Sequence, residues 1–174
     1  MDRFSAAYSI FETVKTLHVR DVSGDIIATL VWRNDSEAEC ALTDGHQWTF
    51  RREVDGVSVV LHDNAPSAFA PAAWTAEGLQ FDGGTTLAWR SEPGCSCLVD
   101  AHNRPVLTIE LRERQYDLSV DREAFSRTYR QGTVRFEPVM MFCLYLSVLN
   151  ANYARADADA SKATFMLSSI ISGL

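Results

Sequence analysis

Between Val139 and Leu149 the chain reads VMMFCLYLSVL, eleven consecutive positions that are apolar except for Ser147. A membrane-spanning helix needs about 20 largely apolar residues, so this run is too short to cross a bilayer. Extending it does not help. Asn150, Asn152, Arg155, Asp157 and Asp159 follow it, and Arg135 and Glu137 precede it. Met and Leu favour the helical state, Glu137 sits where a helix would start, and Pro138 suits the first helical position. A helix is therefore expected near residues 138–153. Its apolar residues keep to no single stripe: Met140, Met141, Phe142, Leu144, Tyr145, Leu146, Val148 and Leu149 cover every side. A helix apolar all round must be surrounded by protein, and the surrounding material has to come from residues 1–136.

That material reads as short strands broken by turns. The segment LHVRDVSGDIIATLVWR forms two strands about Asp21–Gly24. Further turns fall at Asp44-Gly45, Asp55-Gly56, Asp82-Gly83-Gly84 and Asp100–Pro105. Asp-Gly and Gly-Gly supply the positive φ angles of tight hairpins, and the flanks are rich in Val, Ile, Leu, Thr and aromatics. The stretch NAPSAFAPAAW is read as a crossover loop, because Pro66 and Pro71 exclude a central strand. An antiparallel meander followed by one helix apolar on all sides leads to a mainly β fold. The expectation is an antiparallel barrel of about twelve strands enclosing the helix, with a terminal amphipathic helix; a sandwich covered by the helix on one face is the alternative.

Length and charge narrow the function classes. A chain of 174 residues, 47% hydrophobic and 22% charged, can bury one good core and fits one globular domain with an appendage. A net charge of -7 argues against nucleic-acid binding, which draws its affinity from neutralised phosphates. Arg127, Arg130 and Arg135 fall in a stretch without acids just before the apolar run, and are candidate contacts for an anion. Against this stands a solvated strand or loop whose arginines pair with acids elsewhere.

The catalytic and metal signatures are missing. No Gly-x-Ser-x-Gly, Walker loop, Gly-x-Gly-x-x-Gly or His-Glu-x-x-His occurs. His18, His46, His62 and His102 lie beside expected turns or strand ends at no metal-ligand spacing. Cys95 and Cys97 are too close for a usual zinc pair, Cys40 is isolated, and Cys143 lies inside the apolar run as a small hydrophobe. Asp157 and Asp159 are two carboxylates only, and Asp159 makes a sensible helix N-cap. Trp32, Trp48, Trp74 and Trp89 read as packing or rim residues. No cofactor and no metal is expected. Residues 1–15 carry no basic region followed by a long apolar segment, so the expected location is cytoplasmic, or peripheral to a membrane.

After residue 156, Ala163, Met166, Leu167, Ile170, Ile171 and Leu174 recur at helical spacing opposite Ser161, Lys162, Ser168, Ser169 and Ser172. Residues 157–174 thus form an amphipathic helix or tail after a domain of residues 1–156. Met166, Leu167, Ile170, Ile171 and Leu174 are its candidate partner surface, for the chain's own domain, a second copy, another protein or a membrane, with packing or oligomerisation favoured over membrane contact. The polar face lacks the lysine and arginine of interfacial helices.

The order of short strands, Asp/Gly turns and a C-terminal apolar helix resembles the tubby-like superfamily, which includes the LURP-one-related proteins and the phospholipid scramblases. LQFDGGTTLAWRSEPGCSCLVDAHNRPVLTIE is similar to the middle of such domains, where a strand leads into a D-x-x-x-R-P-V turn. EPVMMFCLYLSVLNAN takes the place of the family's central helix. The resemblance implies a barrel threaded by a helix and, in some members, binding of phosphoinositide or association with membranes through a cationic surface site. Only Lys15 and Lys162 are lysines here, and that site has no residue-by-residue match. The expected function is a non-enzymatic binding or interaction module of tubby-like type, with no nucleic-acid partner and no transmembrane span. The alternatives are a peripheral membrane protein binding anionic phospholipid, and an enzyme whose rim site is not visible in the sequence.

Overall fold

The computed structural model describes residues 1–9, 14–53, 58–62, 71–75, 78–81, 86–113, 115–128 and 135–152. Their architecture is mainly antiparallel β with two helices. The strands are β1 (Asp2–Tyr8), β2 (Thr16–Arg20), β3 (Ile26–Trp32), β4 (Glu37–Leu42), β5 (Gln47–Arg52), β6 (Ser58–His62), β7 (Pro71–Thr75), β8 (Gly78–Phe81), β9 (Thr86–Glu92), β10 (Cys95–Val99), β11 (Pro105–Arg112) and β12 (Gln115–Val120). The helices are α1 (Arg122–Thr128) and α2 (136–152). Sequence neighbours pair as antiparallel hairpins, and β1 pairs with both β2 and β12, the latter from Asp2↔Val120 to Ala7↔Gln115. Among the described residues, β6–β7 and β8–β9 are joined by two residue pairs each.

Alternation decides which face turns inward. On β3 the burial pattern puts Ala28, Leu30 and Trp32 inside, and β4 answers with Ala38, Cys40 and Leu42. Cross-strand partners stack these positions into layers: Leu30 faces Cys40, and Cys40 faces Trp48. Small inner residues, Ala28, Ala38 and Cys40, leave room for the large ones. Phe50 sits 5.3 Å from Phe142 and 5.7 Å from Tyr145 of α2, centroid to centroid. Val139 to Leu149 is buried throughout, as a helix apolar on every side requires. The Tyr145 hydroxyl, which could not remain unpaired there, donates to the backbone carbonyl of Ser36. Ser147 satisfies its own hydroxyl by donating to the Cys143 carbonyl at 3.0 Å, one turn back.

Aspartates build the turns. Asp100 Oδ1 accepts the backbone N–H groups of His102 and Arg104, and Oδ2 accepts Arg104 Nε at 2.9 Å. Asn103 takes a positive φ of 59° in the same turn, a conformation asparagine tolerates. The D-x-x-x-R-P spacing is thus a self-bonded connection between β10 and β11. Asp21 repeats the device, accepting the N–H groups of Ser23 and Asp25.

Three expectations need correction. The segment at Pro71 is not a crossover loop: β7 begins at Pro71, where a strand tolerates proline, and pairs antiparallel with β6 and β8. The stretch holding Arg127 is helical rather than strand or loop, since Asp121 caps α1 by accepting the Ala124 N–H at 2.9 Å. α2 begins two residues before Pro138, which occupies the first turn, where its missing N–H costs nothing. The tail positions Met166, Leu167, Ile170, Ile171 and Leu174 lie outside the described residues.

Candidate functional site

Because α2 fills the interior, the ends of the sheet and its outer face are left for binding. At the N-terminal end of α2 a groove of about 620 Å³ opens between β1, the β2–β3 and β4–β5 turns, α1 and the first turn of α2. Phe136, the first helical residue, is its hub. Its ring lies 5.9 Å from Phe4 and 6.4 Å from Phe125, and the Arg122 guanidinium sits 4.4 Å above it. Ile27, Leu42 and the highly exposed Val22 extend the apolar surface.

The polar edge of the groove is built from ion pairs. Arg135, placed immediately before α2, reaches Asp44 Oδ2 at 2.5 Å and Glu137 at 3.5 Å. Asp44 is held in turn by the His46 N–H on its other oxygen, at 3.1 Å. Burial works to raise the Asp44 carboxyl, but the hydrogen bonds from Arg135 and His46 outweigh it and leave it below its ordinary value. Arg122 pairs with Asp2. Arg3, also lining the groove, has no carboxylate partner among the described residues.

The three candidate anion contacts therefore separate. Arg135 lines the groove, with two carboxylates beside it. Arg127 is exposed on α1, 3.4 Å from Glu123 one turn earlier, and does not line it. Arg130 lies outside the described residues. Sequence reasoning missed Arg3 and Arg122, which share the groove with Arg135. Alternation on β1 turns Asp2 and Phe4 inward and leaves Arg3 exposed, so no sequence pattern announces Arg3; the signal for Arg122 is its helical placement after a capping aspartate.

Other candidates stay apart. His18 contacts Thr29 across β2–β3, His46 stacks on Trp48 at 5.7 Å, and His102 belongs to the Asp100 turn. No group of three or more metal-ligating side chains occurs among the described residues. Burial pushes the thiols of Cys40 and Cys143 well up, so neither is poised as a thiolate. No helix among the described residues is long and apolar enough to cross a membrane. Compared with known families, with characterised proteins and with solved structures, the chain matches none.

Proposed function

We propose that the chain is a non-enzymatic binding module of tubby-like type whose ligand docks in the groove at the N-terminal end of α2. The observation that carries this reading is the complete burial of Val139–Leu149. With the centre occupied by the chain's own side chains, a ligand is confined to the ends or the outer face. The groove joins an apolar floor of Phe4, Leu42 and Phe136 to the guanidinium groups of Arg3, Arg122 and Arg135. Asp2, Asp21, Asp44 and Glu137 line it too, and Asp2, Asp44 and Glu137 are paired with Arg122 and Arg135, so it suits a ligand with an apolar part and a hydrogen-bond-accepting group that meets Arg3. The same reading takes the wall as about twelve strands closed around α2; the β1–β12 ladder supports it. Native mass spectrometry of protein purified from cells tests the module. A bound mass on the wild type that disappears in Val22→Glu/Arg3→Glu supports the groove, whereas a mass retained by that variant places the ligand elsewhere.

A second reading, attachment to an anionic phospholipid surface, is favoured by the lip of this groove. Val22 is 82% exposed and Met1 75%, beside Arg3. Sedimentation with vesicles containing phosphatidylserine, against vesicles of phosphatidylcholine alone, separates the two. Equal behaviour with both vesicle types removes the membrane reading. The tail residues Met166, Leu167, Ile170, Ile171 and Leu174 stand as a partner surface in the proposal. Its test is the oligomeric state of the full chain against one ending at Ala156.

A further inference from the structure

At the other end of α2, about 21 Å along the helix from Phe136 at 1.5 Å per residue, lies a second cleft. Its volume is about 370 Å³, and it is lined by the β9–β10 hairpin, Ile109, Leu111, Tyr116 and the helix positions Ser147, Asn150 and Ala151. The walls are largely apolar, and four polar side chains converge on them. Asn150 Nδ2 donates to Ser91 Oγ at 3.3 Å, and Ser91 Oγ lies 3.1 Å from Ser96 Oγ. Ser96 and Ser147 are only 6% and 7% exposed. From the geometry we propose that this cleft is a binding site for a small uncharged ligand with a short apolar body and a primary amide or hydroxyl head.

The hydrogen-bond inventory sets the chemistry of the head. One hydroxyl of the Ser91–Ser96 pair donates to the other, so whichever accepts keeps a hydrogen to give away. Asn150 spends one amide hydrogen on Ser91, and its Oδ1 has no partner among the described residues. The cleft therefore presents a spare donor next to a spare acceptor, the complement of a primary amide or an alcohol. Ser147 contributes lone pairs only, since its hydrogen goes to Cys143 O. Charge excludes the alternatives on the anionic side. No lining residue is cationic, while Glu92 stands at the mouth. The volume lies at the lower end of the range for small-molecule sites, which limits the ligand to a few carbons beyond its head group.

The test uses three probes of equal chain length, hexanamide, hexanoate and hexylamine, titrated into the full chain and followed through backbone amide NMR shifts. The site predicts saturable shifts at Ser91, Gly94, Ser96 and Asn150 with hexanamide, and binding of hexanoate weaker by at least about tenfold, because its charge finds no partner. Hexylamine, with no acceptor for the spare hydroxyl, is expected to be weaker than hexanamide as well. Asn150→Leu, at a half-exposed position where folding is preserved, abolishes the hexanamide response; Ser147→Leu, which fills the cleft from the helix, does the same. Equal response to all three probes, no response at these four residues, or an unchanged response in Asn150→Leu overturns the proposal. None of these outcomes bears on the Arg135 groove, whose variants leave the hexanamide shifts in place.

Discussion

Replacing Leu144 with Asp interrogates the enclosure of α2 more directly than any other change. Leu144 is 0% exposed, in the middle of the buried run. Truncating a core leucine costs about 3–5 kcal/mol in lost contacts and cavity. The new carboxyl cannot remain ionised there without a partner, so at pH 7 it has to be protonated against an unfolded-state pKa near 3.9. That adds about 4 kcal/mol. The sum, about 7–9 kcal/mol, is comparable with the whole stability of a domain of this size, about 5–15 kcal/mol. The carboxyl's folded pKa is raised, so its ionisation penalty grows as pH climbs above about 3.9 and shrinks to about 0.5 kcal/mol at pH 4. Urea unfolding followed by tryptophan fluorescence at pH 7 and pH 4 should therefore show Leu144→Asp unfolded or nearly so at pH 7 and partly recovered at pH 4, relative to wild type at each pH. Leu144→Met should lose less than about 1.5 kcal/mol. A Leu144→Asp protein with a wild-type midpoint at pH 7 would falsify the burial of this helix face and, with it, the argument that ligands are confined to the ends.

Three further perturbations have worked-out directions. Gly78 holds φ +125°, and a Cβ there would lie 2.3 Å from the Leu87 carbonyl oxygen, whereas Gly24 at φ +89° faces open space; Gly78→Ala should cost several kcal/mol in denaturant titrations and Gly24→Ala about 1–2 kcal/mol. Asp100, pulled down to about 2 first by the Arg104 N–H and then by its side chain, contributes stability that is present above the unfolded pKa near 4 and lost as pH falls from about 4 toward 2. Unfolding midpoints measured across that window should decline less steeply in Asp100→Ala than in wild type. Tyr145→Phe removes one of two donors to the Ser36 carbonyl, which also accepts the Arg52 N–H at 3.0 Å, and should lower stability by only about 0.5–1.5 kcal/mol without changing the fold, read as a shifted midpoint at constant slope.

The hairpins β2–β3, β4–β5 and β10–β11 were legible because their turns carry Asp or Gly and their flanks alternate. Local chemistry closes those turns, so local sequence announces them. β1 was not legible: in DRFSAAY the inward positions include Ala6, and alanine and serine carry little strand preference. Its identity comes from pairing with β12, more than a hundred residues away. α1, seven residues long, offers too few turns for a periodic signal. Pro71 misled because the rule excluding proline from a central strand relaxes at the strand's first residue. The site suffered most from distance. Arg135 and Asp44 are 91 positions apart, and Asn150 and Ser91 are 59 apart. No spacing within either segment encodes such a meeting; only the packing of the sheet against α2 brings them together. The apolar run could announce that something must surround it, but not which polar groups the surrounding would leave at each end.

The two ends of α2 differ in chemistry while sharing one rigid element, which raises the question of whether they communicate. For a ligand in one cleft to alter the other, α2 would have to shift or rotate, and the aromatic cluster stands in the way. Phe142 and Tyr145 pack against Phe50 from one side and stack on each other at 5.9 Å, with Tyr145 tied to Ser36. Cores packed to this density deform by discrete repacking rather than by gradual sliding, and a small ligand at the rim supplies no obvious differential contact to drive one. The two sites should therefore be independent. Titrating phosphatidylserine vesicles against the protein with and without saturating hexanamide measures the coupling, and the expected affinities agree within about twofold. A shift of about fivefold or more would place the coupling in the range of allosteric proteins. It would mean that α2 has a second packing arrangement against the sheet, so that the buried helix transmits occupancy from one end to the other instead of insulating them.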